Sequence, residues 1–410
     1  MRDHRLPTSP GFWRSPLRSP WFTSVLGIVL LVGITVLFTT GLVSYAAYNP
    51  GLSPVNDKTP DKGLLGFYLF AWPTDPPWLY RLTQGVHVTL GIALIPVLLA
   101  KLWSVLPRLF TLPPVRSLAH ALERISLLLL VGGALFEFTT GVLNVQLDYL
   151  FPGSFYPLHF YGAWVFFAAF VTHAVLRVPA AVRNLRHLRD EEGGLVSPNP
   201  APSTVSRRGA LAFVGGGSLL LLATTAGRSF DGPLRATALL APHGGPEPGS
   251  GPGGFQINKT AASRGISMTE TSDEAWRLVV EGQGRTVRLS RAELLQLPLY
   301  SAALPIACVE GWSTSDQWWR GVRLRDLAAL VGFESGAAPD VMVESLQRHG
   351  AFRRAALRDN QVRDPRSLLA LFVNGEPLTP DHGYPARIIV PAAPGVLNTK
   401  WVARMTFGDL

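Results

Sequence analysis

The stretch that decides the interpretation of this chain is Ala307-Cys308-Val309-Glu310-Gly311-Trp312, which holds the only cysteine among 410 residues. A lone thiol has no partner for an intramolecular disulfide, so Cys308 is a buried apolar residue, a nucleophile or a metal ligand. Free cysteine is among the most buried residue types, so the stretch by itself leaves these uses open. The chain on either side of it decides between them.

The overall composition is that of a membrane protein. Hydrophobic residues make up 47% of the chain and charged residues only 16%, and the formal net charge is +9. The basic residues flank apolar runs, as the positive-inside rule describes, and they are not interleaved with aromatic residues that would stack on bases. The sequence therefore predicts a lipid bilayer, and no nucleic acid, among its partners.

Five apolar segments are about the length needed to cross a hydrocarbon core of about 30 Å, which takes about 20 residues. They are residues 21–45, 82–105, 118–143, 158–178 and 209–227. Lys and Arg cluster in the N-terminal tail and in the connections after the second and fourth segments. We therefore expect a multi-pass protein of the cytoplasmic (inner) membrane, with a cytoplasmic N-terminus and an extracytoplasmic C-terminal domain.

Shifts in composition predict six regions along the chain. They are a cytoplasmic tail (1–20), a four-helix membrane domain (21–180), a cytoplasmic linker (181–208), a fifth transmembrane helix (209–227), a tether rich in Pro and Gly (228–254) and a C-terminal domain (255–410). The fifth segment follows Ser206-Arg207-Arg208-Gly209, which resembles a twin-arginine export signal kept as an anchor. The alternative is that the two arginines only fix the topology.

Four histidines lie in the apolar segments, where an ionisable side chain is costly. With the expected topology, His87 and His159 lie at the outer level and His120 and His173 at the inner level. His159 and His173 are 14 residues apart, which on a helix is about 21 Å in height and about 40° in rotation. The pattern resembles four-helix cytochromes b, which implies two b haems with two imidazoles each and electron exchange with a quinone or another carrier. The alternative is that these histidines only form hydrogen bonds within the bundle.

Residues 255–410 have a different character. Short alternating runs predict strands, Asn374-Gly375 predicts a hairpin turn, and helical periodicity is confined to residues 291–297 and 323–331. We expect an α+β, mainly β, C-terminal domain beside an all-α transmembrane bundle of four helices plus a fifth anchor helix.

Several separated motifs of this domain occur in the order found in one family. They are Ile306-Ala307-Cys308-Val309-Glu310-Gly311-Trp312-Ser313, Trp319-Arg320-Gly321-Val322-Arg323-Leu324, Asn374-Gly375-Glu376-Pro377-Leu378, Asp381-His382-Gly383-Tyr384-Pro385-Ala386-Arg387 and Lys400-Trp401-Val402. Together they resemble the molybdopterin-binding domain of the sulfite oxidase superfamily, and within it the catalytic subunits of periplasmic methionine sulfoxide reductases.

The resemblance implies a ligand set. Cys308 would be the thiolate ligand of molybdenum, a soft donor for a metal that the pterin's sulfurs already hold. The residues implied in binding the pterin and its phosphate are Asn258, Ser345, His382, Arg387, Asn398, Thr399 and Lys400. The family's sulfite-oxidising members gather arginines around the anion, for which Arg320, Arg348, Arg353 and Arg354 are the candidates.

The sequence therefore predicts a membrane-bound molybdopterin oxidoreductase that transfers an oxygen atom outside the cytoplasm. Reduction of a small-molecule or protein-borne oxo substrate such as a sulfoxide, fed through the haems, is the expected direction. Two alternatives remain open: a sulfite-type oxidase that passes electrons into the membrane, and a non-catalytic binding or assembly module.

Overall fold

The structure is a computed structural model that describes most of the chain. The described residues are 6–56, 70–110, 117–145, 155–186, 201–230, 233–240, 255–257, 259–334 and 338–410. Asn258, one of the residues implied in pterin binding, lies outside them.

Five helices are long and apolar enough to cross a membrane, which confirms the expected number. They are α1 (Pro20–Ala46), α2 (Leu79–Leu109), α3 (Leu118–Asn144), α4 (Tyr156–Arg186) and α5 (Arg207–Thr225). Both α2 and α4 run 31 residues and extend beyond the predicted apolar segments, and they continue through Pro96, Pro107 and Pro179. Proline is tolerated inside membrane helices, where neighbouring groups satisfy the carbonyl that it leaves unpaired.

The helices pack through a shared apolar core. The cluster includes Phe22 and Leu26 of α1, Leu94 and Val97 of α2 and Phe166 of α4. Elsewhere these helices expose large apolar side chains, including Leu128 on α3 and Leu219 on α5. Apolar residues inside and outside the bundle are the arrangement expected of helices in lipid, where no aqueous face needs polar residues.

The C-terminal part is built on two sheets, the first mixed and the second antiparallel. The first has the strand order β2 (Arg285–Leu289), β1 (Leu278–Gly282), β10 (Val402–Phe407), β5 (Val341–Ser345) and β6 (Arg354–Leu357), with β1 and β10 parallel. The second has β3 (Tyr300–Leu304), β4 (Gln317–Arg323) and β7 (Leu368–Val373), and β7 also pairs with β8 (Glu376–Pro377) and β9 (Arg387–Ile389). This mixed-sheet domain confirms the expected fold class.

The local predictions in this domain are confirmed. The helical patterns form α6 (Arg291–Gln296) and α7 (Leu324–Leu330), followed by a short α8 (Asp359–Arg363). A capping box starts α6, since Ser290 accepts from the Glu293 backbone amide and the Glu293 carboxylate accepts from the Ser290 amide. Asn374 has a φ of 51° and Gly375 a φ of 91°, which form the β7–β8 hairpin turn as expected.

Two compact units divide the chain, and the C-terminal one contains more than residues 255–410. It consists of Thr40–Val86, Val145–Leu150 and Thr224–Leu410, so the connection between α1 and α2 belongs to it. The predicted boundaries assigned that connection to the membrane domain and residues 228–254 to a tether. The sequence has no local signal for this grouping, because the contacts join residues about 300 positions apart.

The α1–α2 connection covers the open edge of the first sheet. Asn56 Oδ1 accepts from the backbone N–H of Ala356 on edge strand β6 at 2.6 Å, and Asn49 Nδ2 donates to the Ala356 carbonyl at 3.1 Å. Trp72 Nε1 donates to the Ala392 carbonyl at 2.7 Å, and this indole is 1% exposed. Side-chain amides thus pair backbone groups that an exposed edge strand would otherwise leave to another chain.

Candidate active site

Cys308 lies at the start of a tight turn between β3 and β4. Its backbone N–H donates to the Trp312 carbonyl at 2.8 Å, and the Gly311 N–H donates to the Cys308 carbonyl at 3.1 Å. Gly311 has a φ of 88°, a conformation that costs glycine little and other residues more. The turn fixes the backbone of the thiol residue on both sides.

The thiol itself is buried beside an acid. Cys308 is 3% exposed, and its Sγ lies 3.6 Å from Glu310 Oε2, which also accepts from Trp312 Nε1 at 3.0 Å. Burial, and next the charge of Glu310, raise the pKa of the Cys308 thiol well above its ordinary value. A solvent-exposed cysteine nucleophile would need a lowered thiol pKa. A bound metal cation, by contrast, displaces the thiol proton directly.

A cleft of about 570 Å³, including the space at its mouth, opens beside this thiol. It gathers six of the residues that the family resemblance implied: Cys308, His382, Arg387, Asn398, Thr399 and Lys400. They come from four separate segments, the turn after β3, the loop before β9, β9 itself and the loop before β10.

Two buried cations face this cleft. The Arg387 side chain is 2% exposed, donates to the carbonyls of His382 and Asn398 at 3.0 and 3.2 Å, and lies over Trp319. Lys400 Nζ donates to the carbonyls of Lys259 and Asp381 at 2.9 and 2.7 Å. Within the described residues neither cation forms a salt bridge with a carboxylate, so both are held by neutral carbonyls.

Burial lowers the pKa of both Arg387 and Lys400, because it disfavours their charged forms. It lowers the pKa of Arg387 to about 9 and lowers that of Lys400 well below its usual value, with the Arg387 charge as the next cause for Lys400. Two buried positive charges without a counter-charge are costly unless an anion binds between them. A phosphate ester is the anion that a guanidinium and an ammonium recognise best.

Three polar atoms at the cleft have no hydrogen-bond partner among the described residues. They are Arg387 Nε, Asn398 Nδ2 and Thr399 Oγ1, and each is buried. Buried polar groups are normally paired, and an unpaired one calls for a missing ligand. Two N–H donors and a hydroxyl match the oxygen and nitrogen acceptors of a phosphorylated pterin, so the residues present fit that cofactor.

His382 is held as a neutral imidazole at the edge of the cleft. Its Nδ1 bonds with Thr379 Oγ1 at 2.9 Å and its Nε2 with the Phe255 carbonyl at 3.2 Å. Burial, and next the charge of Arg387, lower the pKa of His382 to about 4. Because a carbonyl only accepts, Nε2 carries the proton and donates it to Phe255, so both ring nitrogens are paired within the protein and the ring adds no charge to the cleft.

The other implied residues lie elsewhere. Ser345 does not line the cleft; its Oγ donates to the Lys400 carbonyl at 2.7 Å and accepts from the Gln347 N–H at 3.1 Å. It therefore supports two residues that do line it. The arginines considered for a sulfite-type anion site, Arg320, Arg348, Arg353 and Arg354, are exposed, and none lines the cleft.

Several cleft residues were not identified from the sequence. They are Phe255, Gln256, Lys259, Gln347, Phe352, Val396 and Trp401. Lys259 could have been identified, because it directly follows Asn258, which the family resemblance implied in pterin binding. Tyr48 of the α1–α2 connection had no such signal, yet it is buried and bonds with Tyr80 through their hydroxyls at 3.0 Å. Burial and Tyr80 raise its pKa, and the charges of Cys308 and Glu310 add to the effect, which locates Tyr48 near the thiol.

The structure brings together the two histidines expected at the outer level of the bundle. The rings of His87 and His159 have centroids 6.1 Å apart. His87 Nδ1 bonds with the Leu37 carbonyl at 2.9 Å, and His159 Nδ1 bonds with Thr140 Oγ1 at 2.9 Å and lies 3.1 Å from Glu137 Oε2. These contacts hold each ring through its Nδ1 atom.

For the histidines expected at the inner level, His120 and His173, the structure gives their positions on helices. His120 lies in the first turn of α3, and His173 lies near the middle of α4, helices that pack against each other. His159 and His173 share the continuous helix α4, as the spacing argument required.

Comparison with known proteins gives the class of the C-terminal domain. Residues 266–409 match the family model "Oxidoreductase molybdopterin binding domain". This segment is therefore a molybdopterin-binding oxidoreductase domain, and the family part of the sequence-based recognition is confirmed.

Individual relatives are similar over the same part of the chain. The "Uncharacterized oxidoreductase YuiH" of Bacillus subtilis is 34% identical over 133 residues, which are 32% of this chain and 65% of that protein. Human mitochondrial sulfite oxidase is 30% identical over 166 residues (34% and 30% of the two chains). A barley nitrate reductase [NAD(P)H] is 40% identical over 96 residues (21% and 10%). The chain thus covers less than two thirds of each of these relatives.

A solved structure, the sulfane dehydrogenase SoxCD from Paracoccus pantotrophus, also matches. It has 24% identity and a TM-score of 0.30 over 33% of this chain and 39% of that one.

Proposed function

We propose that this chain is a membrane-bound molybdopterin oxidoreductase that transfers an oxygen atom outside the cytoplasm and exchanges electrons with a membrane quinone or another carrier through two b haems. The observation that carries the proposal is one cleft that combines a buried lone thiol with two cations, Arg387 and Lys400, that form no salt bridge with a carboxylate among the described residues. A soft metal ligand beside an anion site is what a molybdenum ion on a phosphorylated pterin requires.

The residues of the cleft divide between the metal and the pterin. Cys308 would hold molybdenum through its thiolate, once the metal displaces the thiol proton. Arg387 and Lys400 would hold the phosphate, with Asn398 and Thr399 donating to the pterin's acceptors and the neutral, fully paired His382 ring lying beside the cofactor. Asn258 remains in the proposed set on the resemblance alone, and Ser345 would act by supporting the Lys400 backbone.

When bound, the cofactor supplies two-electron oxygen-atom exchange, which no amino-acid side chain provides. Reduction of a sulfoxide consumes two electrons and two protons and releases the sulfide and one water. Glu310, 3.6 Å from the Cys308 thiol and 6% exposed, is the carboxyl group positioned to move a proton at this site. The chain's own residues thus supply a metal ligand, an anion clamp and an acid.

Reduction of an oxo substrate is preferred to sulfite oxidation because of the arginines. Sulfite is a small dianion that needs several cations at its binding site. The four candidates for that role are exposed and lie away from the cleft. A neutral sulfoxide, free or on a protein, needs no such cluster.

The haem proposal rests on His87 and His159. Metal–imidazole bonds are about 2 Å long, so two rings on opposite sides of one iron have centres roughly 6 Å apart, and the observed distance is 6.1 Å. Bis-histidine haem carries electrons without binding a substrate. His120 and His173 would hold the second haem at the inner level.

The first test is the cofactor content of the purified full-length protein. We expect about one molybdenum and one pterin per chain and the split visible bands of b haem. The Cys308→Ser variant should lose turnover and retain the haem bands, while Asp316→Asn, an exposed change on the same β3–β4 connection, should change neither. Wild-type protein with no molybdenum above background would contradict the enzyme function and favour a binding module.

The second test gives the direction of electron flow. In membranes, a quinol should reduce the haems, and a sulfoxide substrate should then reoxidise them. A His159→Ala variant should lose the outer haem and this coupling, while still reducing the substrate with a soluble viologen donor. Reduction of the haems by sulfite instead would assign the oxidase direction.

A further inference from the structure

The turn that bears Cys308 is held by two segments outside the matched family domain. The Val309 carbonyl accepts from Gln84 Nε2 of α2 at 2.5 Å. The Gly311 carbonyl accepts from Ser229 Oγ, and Ser229 follows α5. All of these residues belong to the C-terminal unit.

Ser229 and the preceding residue, Arg228, also form hydrogen bonds with Ser313. Ser313 Oγ donates to the Ser229 carbonyl, and the Ser313 N–H donates to the Arg228 carbonyl, both at 2.7 Å. Ser229 and Ser313 are 3% and 4% exposed, so these bonds are shielded from water. A shielded hydrogen bond is stronger than an exposed one, and its loss leaves a buried group unpaired.

The two segments also approach each other closely. A Cβ added at Gly85, next to Gln84, would lie 2.8 Å from Ser229 Cβ and 2.9 Å from the Phe230 ring. No larger residue fits at position 85 without moving one of the two segments. The start of α2 and the end of α5 therefore form one packed support under the turn.

We propose that Gln84 and Ser229 are positioning residues for the molybdenum ligand, a role that rests on the proposed function. They fix the carbonyls of Val309 and Gly311, the residues that flank Glu310 and follow Cys308 in the turn. The direction of the thiolate, and the place of the Glu310 carboxyl beside it, are thereby set by residues at the ends of membrane helices. Domains that match only residues 266–409 lack both of these groups.

The test uses the full-length protein with Gln84→Met and Ser229→Ala, singly and together. Met keeps the size of Gln and removes the donor, and Ala removes only the hydroxyl. Thr83→Val is the matched control, because Thr83 precedes Gln84 on α2 but bonds with Ser44 Oγ at 2.9 Å instead of the turn.

The main readout is the electron paramagnetic resonance spectrum of Mo(V), which reports the geometry of the thiolate ligand. We expect altered g-values in both single variants and a larger change in the double variant, with haem content unchanged. With the sulfoxide that the wild type reduces fastest, kcat should fall about threefold to tenfold per lost bond while KM stays within about twofold. Thr83→Val should match the wild type in every readout.

The outcomes separate the two proposals. A double variant with molybdenum, an unchanged Mo(V) spectrum and unchanged kcat would overturn the positioning role and leave the proposed function intact. Wild-type protein without molybdenum would overturn both. If the double variant loses its metal, Gln84→Met alone decides, because it keeps the Ser229–Gly311 and Ser313–Ser229 bonds, and a wild-type spectrum there would overturn the role of Gln84.

Discussion

Replacing Arg387 by Met tests whether the cleft is built for an anion. Burial lowers the pKa of this guanidinium to about 9. A fall of about 3.5 from its ordinary value corresponds to roughly 5 kcal/mol by which the unloaded folded state is penalised for keeping the charge at neutral pH. The bound phosphate would offset that penalty, so the cation should stabilise the loaded protein and not the unloaded one.

Two opposite effects are therefore expected from Arg387→Met. Loss of one charge-assisted hydrogen bond should weaken cofactor binding by about 1.5–3 kcal/mol, or roughly 10- to 150-fold in dissociation constant. The unloaded variant should be no less stable than the unloaded wild type, since removal of the buried charge offsets the bonds lost to the His382 and Asn398 carbonyls.

The assay measures molybdenum and pterin per chain after equal washing, and thermal unfolding of protein produced without the cofactor. Arg404→Met is the control, because Arg404 lies on β10 and is exposed, with Glu281 and Glu344 as partners at 2.7 and 3.4 Å. The reasoning is refuted if Arg387→Met keeps its cofactor as well as the wild type. It is also refuted if the unloaded variant unfolds many degrees lower, because the guanidinium would then be a structural group.

Three further predictions concern other parts of the chain. Since the pKa of His382 falls to about 4 on folding, the unloaded protein should lose roughly 3 kcal/mol between pH 6.5 and pH 4; urea midpoints against pH should show this loss in the wild type and less of it in His382→Gln. Asn56→Ala leaves the buried Ala356 N–H unpaired and should cost about 1–3 kcal/mol of unfolding free energy, and denaturation of the purified protein measures it. Arg207→Lys combined with Arg208→Lys should leave the C-terminal domain in the cytoplasm if the pair is an export signal, whereas protease access from outside in the double variant would show that it only fixes topology.

Local motifs in the sequence predict part of the site. Cys308 is the only thiol of the chain, and it lines one cleft together with Arg387 and Lys400, which the motifs around them selected. The five helices were predictable for a different reason, since each apolar run exceeds what a soluble core needs. In both cases the signal lies within about 30 consecutive residues.

The supports of the site were not predictable in this way. Gln84 and Val309 are 225 positions apart, and Asn56 and Ala356 are 300 apart. The sequence around a single glutamine or asparagine does not indicate which distant residue it bonds with, because such pairs follow from packing and not from periodicity. The exposed arginines show the reverse case, in which residue type suggested an anion site and packing placed the side chains in solvent.

These contacts also give a physical reason for finding the long apolar helices and a molybdopterin-binding domain on one chain. The edge strand β6 has its Ala356 backbone groups paired by Asn49 and Asn56, both from the α1–α2 connection. A protein consisting of residues 255–410 alone would expose those groups and lose the donors to the Val309 and Gly311 carbonyls. Each hydrogen bond that is exchanged for water in this way costs about 0.5–1.5 kcal/mol, so several together are a large share of the 5–15 kcal/mol that stabilises a typical domain. The catalytic unit is therefore completed by the segments that enter α2 and leave α5, and its stability should fall measurably when they are removed.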